Sequence, residues 1–322
     1  MRRGYSPRGM KEEAHGAIAP GRWVSFSSVA VIIPCHNEEA TIGSVVADFR
    51  RFLPGARVVV VDNASADRTS STAAAAGARV IFEPRLGKGF AVLSGLRSEP
   101  AADLFVIVDG DGTYPADKAP DLIAAASSGA DMVIGARLAD PAADAFRPGH
   151  SFGNRLFIGL VRLLFGIRTR DLFSGYRVLT RRFLETAPLI AKGFDVEAEL
   201  SLQAKVQELP VAEVVVPFRP RLEGTRSKLR TFRDGYHILI AILTFFRDYR
   251  PIAFFGTLSL VLLSGAAAGA VRAVQLGSAS SAIACIVSAT LLVLSVVSLS
   301  CGVVLSSINR RSAELSARML RR

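Results

Sequence analysis

The sequence predicts an α/β domain on a mostly parallel sheet, followed by an interfacial helix and two transmembrane helices. Three observations carry this. Between Val29 and Gly135, short runs that are apolar throughout alternate with helical stretches of ten or so residues. The loops after three of those runs carry acids. Beyond residue 250 lie two long apolar stretches.

The elements follow in order. "VAVII" (29–33) is the first strand. Ile42, Val45, Val46, Phe49 and Leu53 then recur at three- and four-residue spacing, which is one face of a helix. "VVVV" (58–61) is the second strand, and an alanine-rich helix follows over 66–76. "RVIF" (79–82) is the third, followed by a glycine-flanked helix over 88–97. "LFVIV" (104–108), another helix and "DMVIG" (131–135) complete the series. Strands without polar alternation are covered by helices on both faces.

The segment "PIAFFGTLSLVLLSGAAAGAV" (251–271) has no charge in 21 residues, and a second apolar run covers about 282–308. Each is long enough to cross a hydrocarbon layer of about 30 Å. Arg247 and Arg250 precede the first, and Arg310, Arg311, Arg318, Arg321 and Arg322 follow the second. The loop between them carries only Arg272. The positive-inside rule then places both termini and the α/β domain in the cytoplasm. "HILIAILTFFRDYR" (237–250) is apolar with a basic end and reads as a helix in the membrane interface. "NRLFIGLVRLLFG" (154–166) is too apolar for a free surface, and lipid, a partner subunit or the core could cover it.

The expected organisation is a disordered basic leader (1–27), the α/β domain (28–230), the interfacial helix (231–250), two transmembrane helices (251–308) and a basic tail (309–322). The leader lacks the apolar centre of a signal peptide. A net charge of +11 suits an anionic membrane surface as well as a nucleic acid, and the apolar stretches select the membrane. No nucleic-acid partner is expected. The three cysteines have no metal-ligand spacing, and a reducing compartment is the simple reading.

In parallel sheets ligands bind at the carboxyl ends of the strands. Those ends run here into "PCHNEE" (34–39), "DNASADRT" (62–69) and "DGDGTYP" (109–115). Turns accept Asn, Ser or Gly and do not require acids in all three loops. Asp109 and Asp111, one residue apart, can converge on a divalent cation, and Mg²⁺ takes one or two carboxylates together with phosphate oxygens. An EF-hand is excluded, because Tyr114 and Pro120 fall where that loop needs Gly and Glu. "LGKGF" (86–90) lacks the spacing of a P-loop, and no GxGxxG opens the first helix. What remains is a metal-held diphosphate on a sheet edge beside a membrane, and a nucleotide sugar answers that description.

The blocks "VIIPCHNEE", "VVVVDNASADRT", "GKG", "VDGDGTYP", "VIGARL", "DLFSGYRVL" and the late "FRPRLEGTRSKLRTFRDG" occur in this order, and the resemblance they carry runs from about Val29 to Leu229. In them the chain resembles the family 2 glycosyltransferases of the dolichol-phosphate mannose or glucose synthase type. The resemblance implies a GT-A, Rossmann-like domain. It implies transfer of a hexose, with inversion, from a UDP- or GDP-sugar to a polyprenyl phosphate at the cytoplasmic face, with Mg²⁺ or Mn²⁺ as cofactor.

It also implies roles. Pro34, His36 and Glu38 would line the nucleoside pocket, with Glu38 on the ribose and Asp62 on the base. Lys88 would join the nucleotide-sugar contacts, and Gly110 would allow close approach. Asp109 and Asp111 would hold the metal, with Thr113 where the family often has Gln or Ser. Arg137, Arg221 and Lys228 would face the diphosphate and the acceptor. Asp109, Asp111 and Arg137 form the catalytic set. The acceptor phosphate would meet some of Arg147, His150, Ser174 and Arg226, because Ser151 stands where the family usually has arginine. Ser174 could equally be a turn residue.

A phosphate acceptor is already mostly dianionic near neutral pH, so no general base is required. A nucleotide-sugar-binding scaffold without catalysis and transfer to another lipid are the alternatives. A homo-oligomer is compatible with all of these.

Overall fold

The structure, a computed structural model, describes residues 24–137, 148–190, 193, 196–220, 231–275 and 278–319. The chain forms two units, Met1–Ile238 and Leu239–Arg322.

The first unit contains strands β1 (Val29–Cys35), β2 (Arg57–Asp62), β3 (Arg79–Phe82), β4 (Leu104–Ile107), β5 (Met132–Arg137), β6 (Arg177–Thr180) and β7 (Val211–Val216). They form one sheet in the order β3-β2-β1-β4-β6-β5-β7. All neighbours pair parallel except β6, which is antiparallel to both β4 and β5. The five expected strands are present. The two late ones, β6 and β7, add a single antiparallel member to an otherwise parallel sheet.

The helices are α1 (Ile42–Phe52), α2 (Thr69–Ala75), α3 (Lys88–Arg97), α4 (Ala119–Ser127), α5 (Pro148–Phe165), α6 (Arg181–Thr186) and α7 (Val196–Val206). Strand alternation divides the core in two. Val31 and Ile33 of β1 pack on one face with Ile42, Val46, Phe49 and Leu122. Ala30 and Ile32 pack on the other with Val92, Leu96, Phe183 and Leu200. Each of these side chains larger than alanine contributes about 1.5–3 kcal/mol on full burial. The apolar spacing of α1 is thus what sets its buried face, and that face fixes where its N-terminus meets the sheet edge.

β1 lies between β2 and β4, so the chain runs outward to β3 and returns on the other side of β1. The crevice at such a reversal, at the carboxyl ends of the strands, is where open α/β sheets bind ligands.

α8 (Thr231–Tyr249) crosses the boundary between the units. It covers the apolar stretch expected to be helical as far as Tyr249. The second unit continues with α9 (Pro251–Gln275) and α10 (Ser278–Met319). Both are long and apolar enough to cross a membrane. Only 11% and 17% of their apolar windows are buried, so they are not the core of a soluble hairpin. Residues 309–319, at the start of the expected basic tail, are helical and continue α10, since nothing in the sequence there breaks a helix.

Hydroxyl groups and a glycine join α9 to α10. The Ser259 and Ser295 hydroxyls lie 2.9 Å apart, and Ser295 Oγ also lies 3.0 Å from the Ser259 carbonyl. Ser298 donates to the Phe255 carbonyl at 2.9 Å. Small residues let two helices approach where lipid offers no hydrophobic drive for association. At Gly302 an added Cβ would stand 2.9 Å from Phe255 Cβ and 3.1 Å from the Pro251 carbonyl. Gly302→Leu is therefore expected to destabilise the hairpin by about 1–3 kcal/mol, read as a lower melting temperature in detergent. Gly256→Leu, where an added Cβ meets nothing within 4 Å, should leave melting unchanged.

Candidate active site

The carboxyl ends of β1, β2 and β4 share one edge, so the loops that follow them meet there. Loops one and two interlock through side-chain-to-backbone bonds. Asn37 N donates to Ser65 Oγ at 2.9 Å, Ala66 N to Asn37 Oδ1 at 2.7 Å, and Glu38 N to Thr69 Oγ1 at 2.8 Å. Thr41, just before α1, donates its hydroxyl to the Gly110 carbonyl at 2.7 Å and ties the first loop to the third.

The expected nucleoside-side residues are all on this rim. Pro34 is buried in β1 and His36 is half-buried. His36 Nδ1 lies 2.7 Å from the Asn63 carbonyl, which orients the ring. Asp62 is 4% exposed. Its Oδ1 accepts from Ser65 N at 2.9 Å, and its Oδ2 accepts from the Ser70 hydroxyl, so this carboxylate shapes its own loop.

Asn63, its neighbour, was not singled out in the sequence, and it organises the next turn. Its Nδ2 donates to the Glu83 and Arg85 carbonyls at 3.1 and 2.7 Å, and its Oδ1 accepts from Gly87 N at 2.7 Å. Gly87 is followed directly by Lys88, the first residue of α3. The same turn is braced by Glu83, which accepts from Arg85 Nε at 2.8 Å and from the Ser94 hydroxyl. The Arg85 guanidinium, then Ser94, hold the Glu83 carboxyl down to about 2 against burial. A depressed carboxyl stabilises the fold above its unfolded value of 4.5, and that contribution disappears as pH falls toward 2. Glu83→Gln is expected to flatten the acid limb of stability between pH 4.5 and 2, measured by denaturant midpoints across that range.

The third loop carries the acid pair. Asp111 Oδ1 accepts from Thr113 N at 3.1 Å and from Thr113 Oγ1 at 2.6 Å. Thr113, 1% exposed, thus orients Asp111. Gly110 is required between the acids, since a Cβ there would overlap Cys35 Sγ. Asp109 Oδ1 lies 2.6 Å from Lys88 Nζ. Lys88 also pairs with Glu197 Oε1, from the first turn of α7. Burial opposes the charge on Lys88, but Asp109 and then Glu197 outweigh it and hold the ammonium well above its usual range. Gly175 lies against Asp109: a Cβ there would stand 2.7 Å from its Cγ and 2.8 Å from Oδ1. Gly175 N in turn donates to Tyr114 Oη at 2.9 Å.

Arg137, at the end of β5, presents Nε and one terminal nitrogen to Asp171 at 2.6 and 2.7 Å. This two-point fork fixes the guanidinium plane. The Phe218 ring lies 5.4 Å from its carbon, and Tyr114 packs edge-on against Phe218. Ser174 is fully buried; its hydroxyl donates to the Gly135 carbonyl at 2.5 Å and accepts from Tyr176 N at 3.2 Å. Arg147, Arg221, Arg226 and Lys228 lie outside the described residues. His150 lies on α5. Arg219 N donates to the Thr113 carbonyl at 2.9 Å, which ties residue 219 to the acid loop.

Among the described residues, no three His, Cys, Asp or Glu side chains converge as a ready metal cage. The chemistry of the donors still fits Mg²⁺ or Mn²⁺. Asp111 offers hard oxygen at a rim, and both ions fill most of their coordination with water and phosphate oxygens. Asp109 has one oxygen paired with Lys88 and Asp111 has one paired with Thr113, so the two acids and the Thr113 hydroxyl are the groups that would hold such an ion.

Two acids that sequence reasoning missed, Glu197 and Asp171, partner the site cations. Glu197 left one signal. The helix "VEAELSLQA" is buried at every position from Val196 to Ala204, and an acid in such a helix needs a partner.

Comparison with known proteins agrees with this geometry. The profile described as glycosyl transferase family 2 matches residues 30–187. The chain is similar to glycosyltransferase AglJ of Haloferax volcanii, 32% identical over 231 residues that cover 71% of this chain and 76% of that one. It is also similar to a dolichyl-phosphate hexose transferase of the same organism, 33% identical over 211 residues, covering 66% and 90%. Among solved structures, glucosyl-3-phosphoglycerate synthase of Mycobacterium tuberculosis with UDP superposes with a TM-score of 0.57 at 23% identity, covering 75% of this chain and 86% of that one. That likeness establishes the GT-A fold. The family profile and the Haloferax relatives show that this chain is a glycosyltransferase belonging to glycosyl transferase family 2.

Proposed function

We propose that the protein transfers a hexose, with inversion, from a UDP- or GDP-sugar to a polyprenyl phosphate at the cytoplasmic membrane face. The observation that carries this is the Lys88–Asp109 pair in the acid loop that also bears Asp111, at the strand-end crevice of a chain that also holds two exposed apolar helices. One similar protein is named a dolichyl-phosphate hexose transferase, which supports the acceptor class.

On this reading, His36, Glu38 and Asp62 border the nucleoside, and Lys88 faces the diphosphate. A divalent cation at Asp111, when bound, supplies charge that offsets the leaving nucleotide. Thr113 keeps the Asp111 carboxylate turned for that purpose. Arg137, fixed by Asp171, presents its remaining edge to a phosphate. Arg221, Lys228, Arg147, His150 and Arg226 are the further phosphate contacts proposed from sequence. The acceptor phosphate attacks the anomeric carbon in line, without loss of a proton, so the site needs no base. The hairpin spans the membrane with its arginine-rich ends in the cytoplasm.

The test is a donor panel. Purified protein, polyprenyl phosphate and Mg²⁺ or Mn²⁺ are incubated with labelled UDP-glucose, GDP-mannose and related donors, and the organic phase is counted. Label in lipid with at least one donor is expected. Label in none, with nucleotide binding intact, would favour a binding scaffold.

A further inference from the structure

Lys88 is held by two acids, and only one of them belongs to the acid pair of the rim. Glu197, the second, comes from a distant part of the chain, and its side chain is 7% exposed. A carboxylate so buried is costly unless paired, and Lys88 is the partner. Its backbone is fixed as well. Gly89 N donates to the Gly193 carbonyl at 3.2 Å, which joins the start of α3 to the segment before α7. From the other side Ser201 donates to the Glu197 carbonyl at 3.2 Å, and Arg177 donates to Ser201 Oγ at 2.9 Å. Arg177, 1% exposed, also donates to the Leu172 and Ser174 carbonyls at 2.7 and 3.0 Å. The loop it holds is the one that sets Gly175 on Asp109. A ring of contacts thus runs from Asp109 through Lys88, Glu197, Ser201 and Arg177 back to Gly175 and Asp109.

We infer that Glu197 is a positioning residue, which holds the Lys88 ammonium at the crevice so that Lys88 can meet a nucleoside diphosphate. The inference rests on the proposed nucleotide-sugar reading. With Asp109 alone, Lys88 would collapse into a single pair that an incoming diphosphate must break. With Glu197 behind it, Lys88 keeps a counter-charge while it turns from Asp109 to the ligand. Glu197 does not act as a base here, because its Oε1 already receives Lys88 and the acceptor brings no proton to remove.

A double-mutant cycle on the full-length protein in detergent tests this. Binding of UDP and of GDP with Mn²⁺ is measured by calorimetry for the wild type, Glu197→Gln, Glu197→Asp, Lys88→Met and Glu197→Gln/Lys88→Met. Circular dichroism and melting check each fold. Glu197→Gln is expected to weaken the nucleotide that binds by about tenfold. The double variant is expected to bind no more weakly than Lys88→Met, because Glu197 acts through Lys88. Glu197→Asp, which keeps the charge on a shorter arm, should recover part of the loss.

Wild-type or tighter affinity in Glu197→Gln overturns the role, as does a penalty that adds fully to that of Lys88→Met. A fall in kcat with unchanged nucleotide affinity would place Glu197 in the chemical step instead of in nucleotide binding and also overturn it. Should Glu197→Gln fail to fold, the Glu197→Asp and Lys88→Met affinities decide. Equal affinity of Lys88→Met and wild type removes the partner through which Glu197 is held to act. A wild type that binds neither nucleotide overturns the functional reading and this role together.

Discussion

Asp111→Asn is expected to lower sugar transfer by roughly 10²–10³-fold while the protein stays folded. The amide keeps the shape of the carboxylate and an oxygen that can still accept from Thr113, so the loop should hold. What it loses is charge. In a site 8% exposed to solvent, a neutral ligand binds a divalent cation far more weakly, and the leaving diphosphate is no longer offset. Thr113→Val should have a smaller effect of the same kind, since it frees Asp111 without removing it. Both are read as kcat/KM against Mn²⁺ concentration. Full activity in Asp111→Asn, or activity indifferent to a chelator, would remove the metal from the mechanism.

The second large effect is expected at a residue with no functional group. Gly175→Ala should reduce transfer by about 10²-fold, the loss typical of an active-site displacement near 1 Å. The new Cβ cannot share space with the Asp109 carboxylate, which stands within 2.8 Å of it at three atoms. Either Asp109 leaves Lys88 or the 171–176 loop lifts from Tyr114. Gly95→Ala is the control. A Cβ there would overlap Ile32 and crowd Val61 in the core, so it should cost stability and spare the chemistry of the protein that folds. Melting temperature and kcat measured side by side separate the two.

Much of this was legible in the chain. The five apolar runs and the helices between them gave the first five strands, because a strand covered on both faces has no polar alternation to obscure it. β6 was missed since its four residues begin with Arg177, whose charge looks like a surface. Arg177 is instead satisfied by two carbonyls and a hydroxyl inside the core. The acid loops were found by position, at the ends of strands. Their partners were not. Glu197 and Asp171 reach Lys88 and Arg137 only through the return of the chain across the sheet, and pairs so far apart leave no periodic mark. Asp109 and Asp111 looked equivalent in sequence. In the fold they differ in partner: Lys88 pairs with Asp109, and Thr113 donates to Asp111.

The most direct measurement is anomalous diffraction at the manganese edge from crystals soaked with Mn²⁺ and the UDP or GDP that binds. The account predicts one manganese peak at bonding distance from Asp111, with diphosphate oxygens on its far side and Lys88 Nζ turned toward them. A nucleotide bound elsewhere on the chain, or a diphosphate at this rim with no metal between it and Asp111, would contradict it.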